Sequence, residues 1–452
     1  MGKKVAFGIL LSFVLTAMSF AKGPTILSLQ DSIQRALRYN LNVQIAKMEV
    51  EEAKLELKKQ EATFKPQASI SAAPLQWEGK YNLQYNPQVD FNASFSNQWG
   101  TNVTLSASQE KGENERMEGS TSLTVIQKIL PAPKLTPFYL SLKKSFLSLK
   151  KEELSSEEEI ENIKLLVITS FYKILEEEKE CELKKLSLEK AKENLTIVKD
   201  KLKKGMANKL DVMDAEIGLI KAEEELYQVK NNLSQSMIEF KELLGIKPDK
   251  EIVLRDKTSL KDRILKIKLE DAVNQALENN RQINQQKFAV EMRQLDLLTT
   301  KSKVSPSLNF LAGYNYNTQG LNKEEYRVGM LVEIPLLDGE KGKTEIQIAE
   351  QELKKEKLNL EKLKQDICGK IRDNFYELKS LEKRILFLKL SREKQKEALD
   401  LTKRMFSQGA LTLQEVRERE ISLIQAEIDY IEALAEYELA KARLLKNIGK
   451  GI

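Results

Sequence analysis

Apolar residues recur every three to four positions over most of the chain, which is the spacing of helices that bury one stripe of side chains. The run from Tyr139 to Lys204 holds neither glycine nor proline over 66 residues, so at about 1.5 Å per residue it predicts one helix of roughly 100 Å. Three seams step strictly by three and four residues, and this 3.5-residue repeat predicts left-handed coiled coils. The seams are Leu188, Ala191, Leu195, Val198 and Leu202; Leu219, Ala222, Leu226, Val229, Leu233, Ser236, Phe240 and Leu243; and Leu423, Ala426, Tyr430, Ala433, Tyr437, Ala440 and Leu444.

Two other regions alternate apolar and polar residues with a period of two, as strands do when one face is apolar and the other polar. The predicted strands have about ten residues, the length that a tilted strand needs to span a bilayer, and a soluble hairpin packed on helices is the alternative. The apolar rows are Val89, Phe91, Ala93 and Phe95; Val103, Leu105 and Ala107; Leu308, Phe310, Ala312, Tyr314 and Tyr316; and Tyr326, Val328, Met330, Val332 and Ile334. Trp77, Tyr81, Trp99 and Tyr326 are candidate aromatic residues at a membrane interface.

The chain repeats one plan twice. The segment LQDSIQRALRYN at 29–40 matches LEDAVNQALENN at 269–280, and Pro66 and Pro306 keep the same offset of 240 residues. The later pairs, at an offset of 204 residues, are Phe171 with Phe375, Gly205 with Gly409, Asp214 with Glu418 and Gly245 with Gly449. The difference between the offsets gives the first copy 36 extra residues before Phe171, which either widen its strand region or form an outer loop.

Each copy is predicted to contain, in order, a helix that ends before a proline, a strand region, a very long helix, a break at a glycine and a final helix. Residues 247–263 are the predicted linker between the copies. The predicted bounds are 22–246 for the first copy, with its first helix near 28–64, strands at 66–130 and the break at 205–211; and 264–452 for the second copy, with its first helix near 268–302, strands at 306–336 and the break at 409–415.

The two breaks, GMANKLD and GALTLQE, have the chemistry of tight helical hairpins. Gly205 and Gly409 suit the left-handed conformation that ends a helix. Each is followed by a capping residue with an acid three positions later, as in Asn208 and Asp211. Capping alone is therefore a sufficient explanation of these acids.

A gate is the functional alternative for the same two tips. If the tips of several chains meet around an axis, rings of carboxylates there would attract cations and repel one another. The candidate ring residues are Asp211, Asp214, Glu415 and Glu418, and the candidates for docking another helical hairpin are Leu210, Val212, Leu413 and Val416.

Composition narrows the class of protein. The 452 residues include no histidine and only two cysteines, Cys181 and Cys368, so transition metals lack their usual ligands and neither a metal nor another cofactor is expected. The charge is mixed, with 31% charged residues and a net +5, and this gives no basic footprint for nucleic acid. No phosphate-binding loop or nucleophile motif is present in the sequence, so we do not expect an enzyme.

The first 21 residues have the pattern of an export signal. Lys3 and Lys4 precede an apolar run from Val5 to Phe20, and Ser19 and Ala21 provide the small residues of a cleavage site. We therefore predict a signal peptide at 1–21. No later segment approaches the roughly 20 apolar residues of a spanning helix.

If the strands cross a membrane, one chain cannot complete the structure. Two hairpins give about four strands, whereas closed barrels start at about eight. Because lipid cannot satisfy an open sheet edge, several chains would have to share one barrel. The long helices would then extend from it as a second, helical tube.

These features together resemble TolC-like outer-membrane efflux proteins, the outer membrane factors. The resemblance rests on LQDSIQRALRYN, the proline before the strands, GMANKLDVMDA and ELLG at 242–245, in an order that occurs twice. It implies a mostly α fold with membrane β-hairpins, in which a homotrimer forms a periplasmic α-barrel joined to a shared twelve-strand β-barrel. It implies an outer-membrane exit duct for efflux or type I secretion, with a periplasmic adaptor and an inner-membrane transporter as partners.

The resemblance also implies roles for residues at the tips. Glu415 and Glu418 occupy positions of an acidic ring, and Gly205, Gly409 and Asp211 lie where adaptor hairpins engage. Some members place a basic gating residue two positions after the second glycine, where this chain has Leu411. The alternatives are a periplasmic coiled-coil adaptor and a structural coiled-coil protein.

Overall fold

The computed structural model describes residues 25–73, 76–78, 82–84, 88–111, 117–132, 135–255, 264–318 and 324–451. The helices are α1 Leu29–Tyr39, α2 Leu41–Ala62, α3 Pro137–Lys203, α4 Lys209–Leu243, α5 Leu269–Asn279, α6 Arg281–Val304, α7 Lys341–Ser407 and α8 Leu413–Ile448. The strands are β1 Thr25–Leu27, β2 Gln67–Ala73, β3 Gln76–Glu78, β4 Asn82–Gln84, β5 Gln88–Ser96, β6 Thr101–Lys111, β7 Met117–Leu130, β8 Ile252–Leu254, β9 Ser307–Asn317 and β10 Glu324–Glu333. The predicted signal peptide, Tyr81, the side chain of Trp77 and residues 256–263 of the predicted linker lie outside what the structure describes.

The two longest helices confirm the prediction of a very long helix in each copy. Helices α3 and α7 have 67 residues each, which at 1.5 Å per residue is about 100 Å of helix. None of the helices in the described part of the chain combines the length and the apolar character that a membrane crossing demands.

The prediction of a single first helix in each copy is wrong, because Asn40 and Asn280 divide it in two. Both residues are extended, with φ/ψ of −67°/133° and −61°/129°. The Nδ2 group of Asn40 donates to the carbonyl oxygen of Leu243 at 3.0 Å, and that of Asn280 donates to Asn447 at 2.7 Å. These tertiary hydrogen bonds satisfy carbonyls at the ends of α4 and α8, which no local pattern could indicate.

The described residues form two compact units, and each unit draws on both copies of the repeat. The helical unit lies within 1–41, 162–266 and 377–442, and the sheet unit lies within 42–161, 267–376 and 443–452. Two units that mix the copies show that a sequence repeat need not be a compact unit. The bounds of the copies themselves stay predictions.

In the helical unit, the helices follow the lateral order α4, α3, α8, α7. The ion pairs that join neighbours are Lys184–Glu225 at 2.9 Å for α3 and α4, Lys179–Glu427 at 2.9 Å for α3 and α8, and Arg384–Glu432 at 3.8 Å for α7 and α8. The seams of α4 and α8 face inward, since Leu226, Val229 and Ala433 are buried, whereas the predicted seam near the end of α3 contains no buried residue and Leu202 is 40% exposed. Helices α3 and α8 therefore lie inside the row, and α4 and α7 flank it.

Aromatic side chains fill the core of the helical unit where α3 meets α4. The Phe171 ring lies 5.6 Å from that of Tyr172 and 6.3 Å from that of Phe240, and all three side chains are buried. Tyr437 on α8 is also buried and accepts a hydrogen bond from the Leu265 N–H at 3.0 Å. Packed rings of this size contribute much of the burial that fixes neighbouring helices.

In the sheet unit, six antiparallel strands form one sheet in the order β10, β9, β7, β6, β5, β2. The prediction of about four strands is therefore too low. The extra residues of the first copy contribute strands to the sheet, in addition to the short separate pair β3–β4. The sequence pattern missed this because β2 (QASISAA) and much of β7 lack large alternating side chains.

The register confirms the alternation of faces in the strands. Residues directly opposite one another share a face, and one row contains Ala68, Ala93, Leu105, Leu123 and Tyr314. The adjacent rows of that face are also mainly apolar, whereas serine, threonine and asparagine dominate the opposite face. The sheet thus has one continuous apolar face across all six strands.

Aromatic side chains lie near both ends of this apolar face. The rings of Tyr314 and Tyr326 are 5.1 Å apart at the end where β9 leads into β10. Trp99 is 60% exposed in the turn between β5 and β6 at the opposite end. This distribution is typical of strands that cross a membrane interface at each end.

Candidate functional site: the two helical tips

The first tip is a Schellman-type helix end followed by a capping box. Gly205 has a φ of 72°, and the Met206 N–H donates to the Lys201 carbonyl oxygen at 2.8 Å. The Asp211 N–H donates to Asn208 Oδ1 at 3.0 Å, while the Asn208 N–H donates to Asp211 Oδ2 at 2.7 Å. The sequence prediction of a cap is confirmed, and the Asp211 carboxylate is held against the start of α4.

The second tip repeats this arrangement. Gly409 has a φ of 75°, and the Ala410 N–H donates to the Met405 carbonyl oxygen at 3.0 Å. The N–H and hydroxyl of Thr412 both donate to Glu415 Oε2, at 2.7 and 2.9 Å. The backbone N–H and then the hydroxyl of Thr412 hold the pKa of Glu415 below its ordinary value, because both stabilise the ionised carboxylate.

Charged side chains join α3 to the beginning of α8 in both directions. Lys190 Nζ on α3 lies 3.0 Å from Glu418 Oε1 on α8. In the opposite sense, Arg417 on α8 lies 2.5 Å from Glu189 and 3.1 Å from Glu193 on α3. We refer to these five residues as the α3–α8 charge cluster. The hydrogen bond from Lys190 lowers the pKa of Glu418, so this carboxylate is ionised at neutral pH.

The structure does not bring the four candidate ring acids into one cluster. The beginning of α4 lies beside the last turns of α3, where Lys199 and Glu216 are 2.9 Å apart. The beginning of α8 contacts α3 at Lys190, nine residues earlier, which is roughly 14 Å along the helix. Asp211 and Asp214 therefore occupy a different level along α3 from Glu415 and Glu418.

Of the four acids, Asp214 differs in having no bonding partner among the described residues. It is exposed and makes no hydrogen bond or ion pair with any residue that the structure describes. The other three take part in capping or in the α3–α8 charge cluster. Asp214 is thus the tip carboxylate most accessible to a cation from solution.

The candidate docking residues divide by exposure. Leu210 and Leu413 are 69% and 41% exposed, and Val212 is half-buried. Val416 is 5% exposed, so this prediction of an outer docking side chain is wrong, since the residue packs inward in the first turns of α8. Met206, which is not among the residues predicted from the sequence, is 76% exposed at the first tip.

Arg417 was also missed from the sequence. A signal was present, because it is the one basic residue between Glu415 and Glu418. Its acidic partners lie more than 220 residues earlier, and only the packing of α8 on α3 shows which ones they are.

Residues 272–450 match the family model described as outer membrane efflux protein. This part of the chain is an outer membrane efflux protein domain. It includes the second tip, Arg417 and Glu418, and most of the second copy of the repeat.

Solved structures support the same fold over nearly the whole chain. The CmeC outer membrane channel of Campylobacter jejuni has a TM-score of 0.67 at 15% identity, covering 94% of this chain and 86% of its own. The outer membrane protein VceC of Vibrio cholerae has a TM-score of 0.65 at 14% identity, covering 94% and 96%. The open state of the MtrE outer membrane channel of Neisseria gonorrhoeae has a TM-score of 0.62 at 14% identity, covering 94% and 89%. At these identities the likeness concerns the fold, and a comparison with curated proteins finds no match.

The match over residues 272–450, together with the fold of the described chain, supports an exit channel of the outer membrane that extends into the periplasm. Proteins of the matched family are channels and not enzymes, and the family implies trimeric assembly and partners in a tripartite system. The alternatives of an adaptor or a purely structural coiled coil are therefore set aside.

Proposed function

We propose that three copies of this chain form the exit duct of a tripartite efflux or type I secretion system, and that the helical tips open and close it. The partners would be a periplasmic adaptor and an inner-membrane transporter. One observation carries the proposal: a single chain combines a sheet with one continuous apolar face and two coiled-coil hairpins with matching tips. The sheet suits lipid, the hairpins suit water, and no bond chemistry is required.

Exposed apolar side chains on the flanking helices support side-by-side assembly of copies. On α4, Met213, Ile217 and Ile220 are 48%, 61% and 65% exposed and recur at helical spacing. On α7, Phe387 and Leu390 are 68% and 59% exposed. Since α4 and α7 flank the row of four helices, a neighbouring copy would cover these surfaces and continue the row into a ring.

The α3–α8 charge cluster would resist opening. It joins the two hairpins of one chain near the second tip, so any movement that separates α8 from α3 must break both the Arg417 and the Lys190 contacts. This cluster would replace a basic gating residue at Leu411, where the chain has an apolar side chain. Opening would then consist of breaking ion pairs that are at least partly exposed to water.

The acids would form two negative levels around the axis of the trimer. Asp211 and Asp214 would lie at one level, and Glu415 and Glu418 at the other. Rings of carboxylates in a narrow passage bind cations, and assembly of three chains would place three copies of each acid in its ring. Adaptor hairpins would dock at Gly205, Leu210 and Val212 of the first tip, and the equivalent docking residues of the second tip would be Gly409 and Leu413.

Single-channel recordings of the full chain in planar lipid bilayers test the duct and its gate. We expect a small basal conductance that multivalent cations block from the periplasmic side. Asp214→Asn should weaken the block, because this carboxylate has no partner among the described residues, while Glu49→Gln on α2 is a matched exposed control. Absence of any conductance would refute the duct. Equal block in Asp214→Asn and in the unmodified protein would refute the role of this acid.

A further inference from the structure

The sheet has two edge strands, β2 and β10, that pair on one side only with the strands that the structure describes. Strand β2 is exposed along nearly its whole length and β10 along all of it. Ile70 on β2 is 73% exposed, and Val328 and Met330 on β10 are 72% and 70% exposed. Strand β2, with the sequence QASISAA, carries neither a charge nor a proline, which are the devices that keep a solvent-exposed edge from pairing. An edge of this composition is suited to pairing with another strand.

The direction of the strands indicates which strand fits there. All five neighbouring pairs in the sheet are antiparallel, so strand directions alternate from β10 to β2. With an even number of strands, the two edges run in opposite directions. Strand β10 of one copy therefore meets β2 of the next copy antiparallel, and the same contact repeats head to tail until the ring closes.

The faces of the two edges also agree. Ile70 lies opposite Phe91, and Val328 lies opposite Ala312, on the same apolar face of the sheet. Antiparallel pairing of β10 with β2 in a continuous sheet would extend this apolar face from one copy to the next. Six strands are too few to close alone, and lipid cannot satisfy an open edge. A second copy of the chain is therefore the occupant that fits each edge.

We infer that three copies close one barrel of eighteen strands, six from each chain, through pairing of β10 with β2 of the neighbouring copy. The inference rests on the proposed trimer and adds to it. It departs from the twelve strands that the resemblance implied, because the 36 extra residues of the first copy supply additional strands. The barrel would be wider than that of a trimer with four strands per chain.

The difference in width is large enough to measure. With strands about 4.8 Å apart and tilted by about 40°, eighteen strands give a barrel about 36 Å across, and twelve strands give about 24 Å. Equivalent residues in a threefold ring are then about 31 Å apart in the wide barrel and about 21 Å apart in the narrow one.

Pulsed electron paramagnetic resonance between spin labels on different chains measures this distance. The label is placed at Ser106→Cys on β6, in the full chain in lipid, with Cys181→Ala and Cys368→Ala to remove the native thiols. We expect a main distance near the wide-barrel value. A main distance near the narrow-barrel value would overturn the eighteen strands and leave the duct intact. No distance between chains would mean a monomer, which would overturn the trimer and with it the proposed function.

Disulfide cross-linking tests the pairing of the edges independently of barrel width. Ile70→Cys is combined in turn with cysteines at Val328, Met330 and Val332 in the same thiol-free chain. We expect at least one combination to give a covalent ladder that ends at three chains. The control pairs Ala312→Cys with Val328→Cys, which lie opposite each other within one chain and should give only monomers. A ladder that ends at two chains, or no ladder in any combination, would overturn the inference.

Discussion

Arg417→Ala provides the sharpest test of the proposed gate. The guanidinium contacts two carboxylates of α3, and its side chain is 20% exposed, against 56% and 34% for Glu189 and Glu193. Ion pairs with this much water access contribute about 0.5 kcal/mol each, or about 1 kcal/mol per chain. If the three chains of the ring open together, the substitution shifts the closed-to-open equilibrium by roughly 3 kcal/mol, which is about 150-fold.

The assay is single-channel recording in planar bilayers, with open probability and conductance compared across variants. Arg384→Ala is the matched control, because Arg384 pairs with Glu432 and Glu436 within the second hairpin and does not join it to α3. We expect Arg417→Ala to open the channel strongly and Arg384→Ala to leave it near the basal level. Raised salt should mimic part of the Arg417→Ala effect, since exposed pairs are screened. If the two variants open the channel equally, or if neither does, the charge cluster is not the latch.

Other substitutions test local features of the fold and the tips. Gly449→Ala should destabilise the protein by about 2 kcal/mol, because Gly449 has a φ of 83° and a Cβ there would meet the carbonyl oxygen of Asn279. The measurement is the temperature at which the oligomer dissociates on a gel, which should fall. The control is Gly218→Ala, in open space within α4, which should be neutral or stabilising by about 1 kcal/mol. In the same assay Asn280→Ala should cost about 1–3 kcal/mol, since it removes a buried hydrogen bond to the end of α8, and wild-type stability would contradict that account. The hydrogen bond from Lys190 holds the pKa of Glu418 below its ordinary value, so the contribution of this carboxylate to closure is complete at neutral pH and is lost as the pH falls through that lowered pKa. Conductance measured against pH should therefore rise only on acidification, and a rise toward alkaline pH would contradict the pairing.

Much of the tip chemistry could be predicted because it is local. Gly205 and Gly409 end their helices, and the acids six residues after them cap the next ones, as spacing alone indicated. What spacing could not indicate was position along α3. That Glu418 meets Lys190, at a different level from Asp214, follows from how α8 packs on α3.

The strand region likewise combines features that the local sequence predicts with features that only the tertiary structure shows. Rows such as Leu308 to Tyr316 were predictable, because alternation of large apolar side chains is a property of consecutive residues. Strand β2 was not, because alanine and serine differ too little in size and polarity to give a clear alternation. Its partner β5 determines its place in the sheet through backbone hydrogen bonds, which are independent of side-chain type.

By itself, the sequence determined the length of the two long helices, the seams on which α4 and α8 pack, the two glycine breaks and the apolar face of the strands. Each of these depends on residues close together in the chain. The tertiary structure alone decided that Asn40 and Asn280 divide the first helices, that six strands share a sheet, and that Arg417 pairs with α3. These features depend on contacts between residues that are far apart in the sequence, whose energies no local pattern encodes.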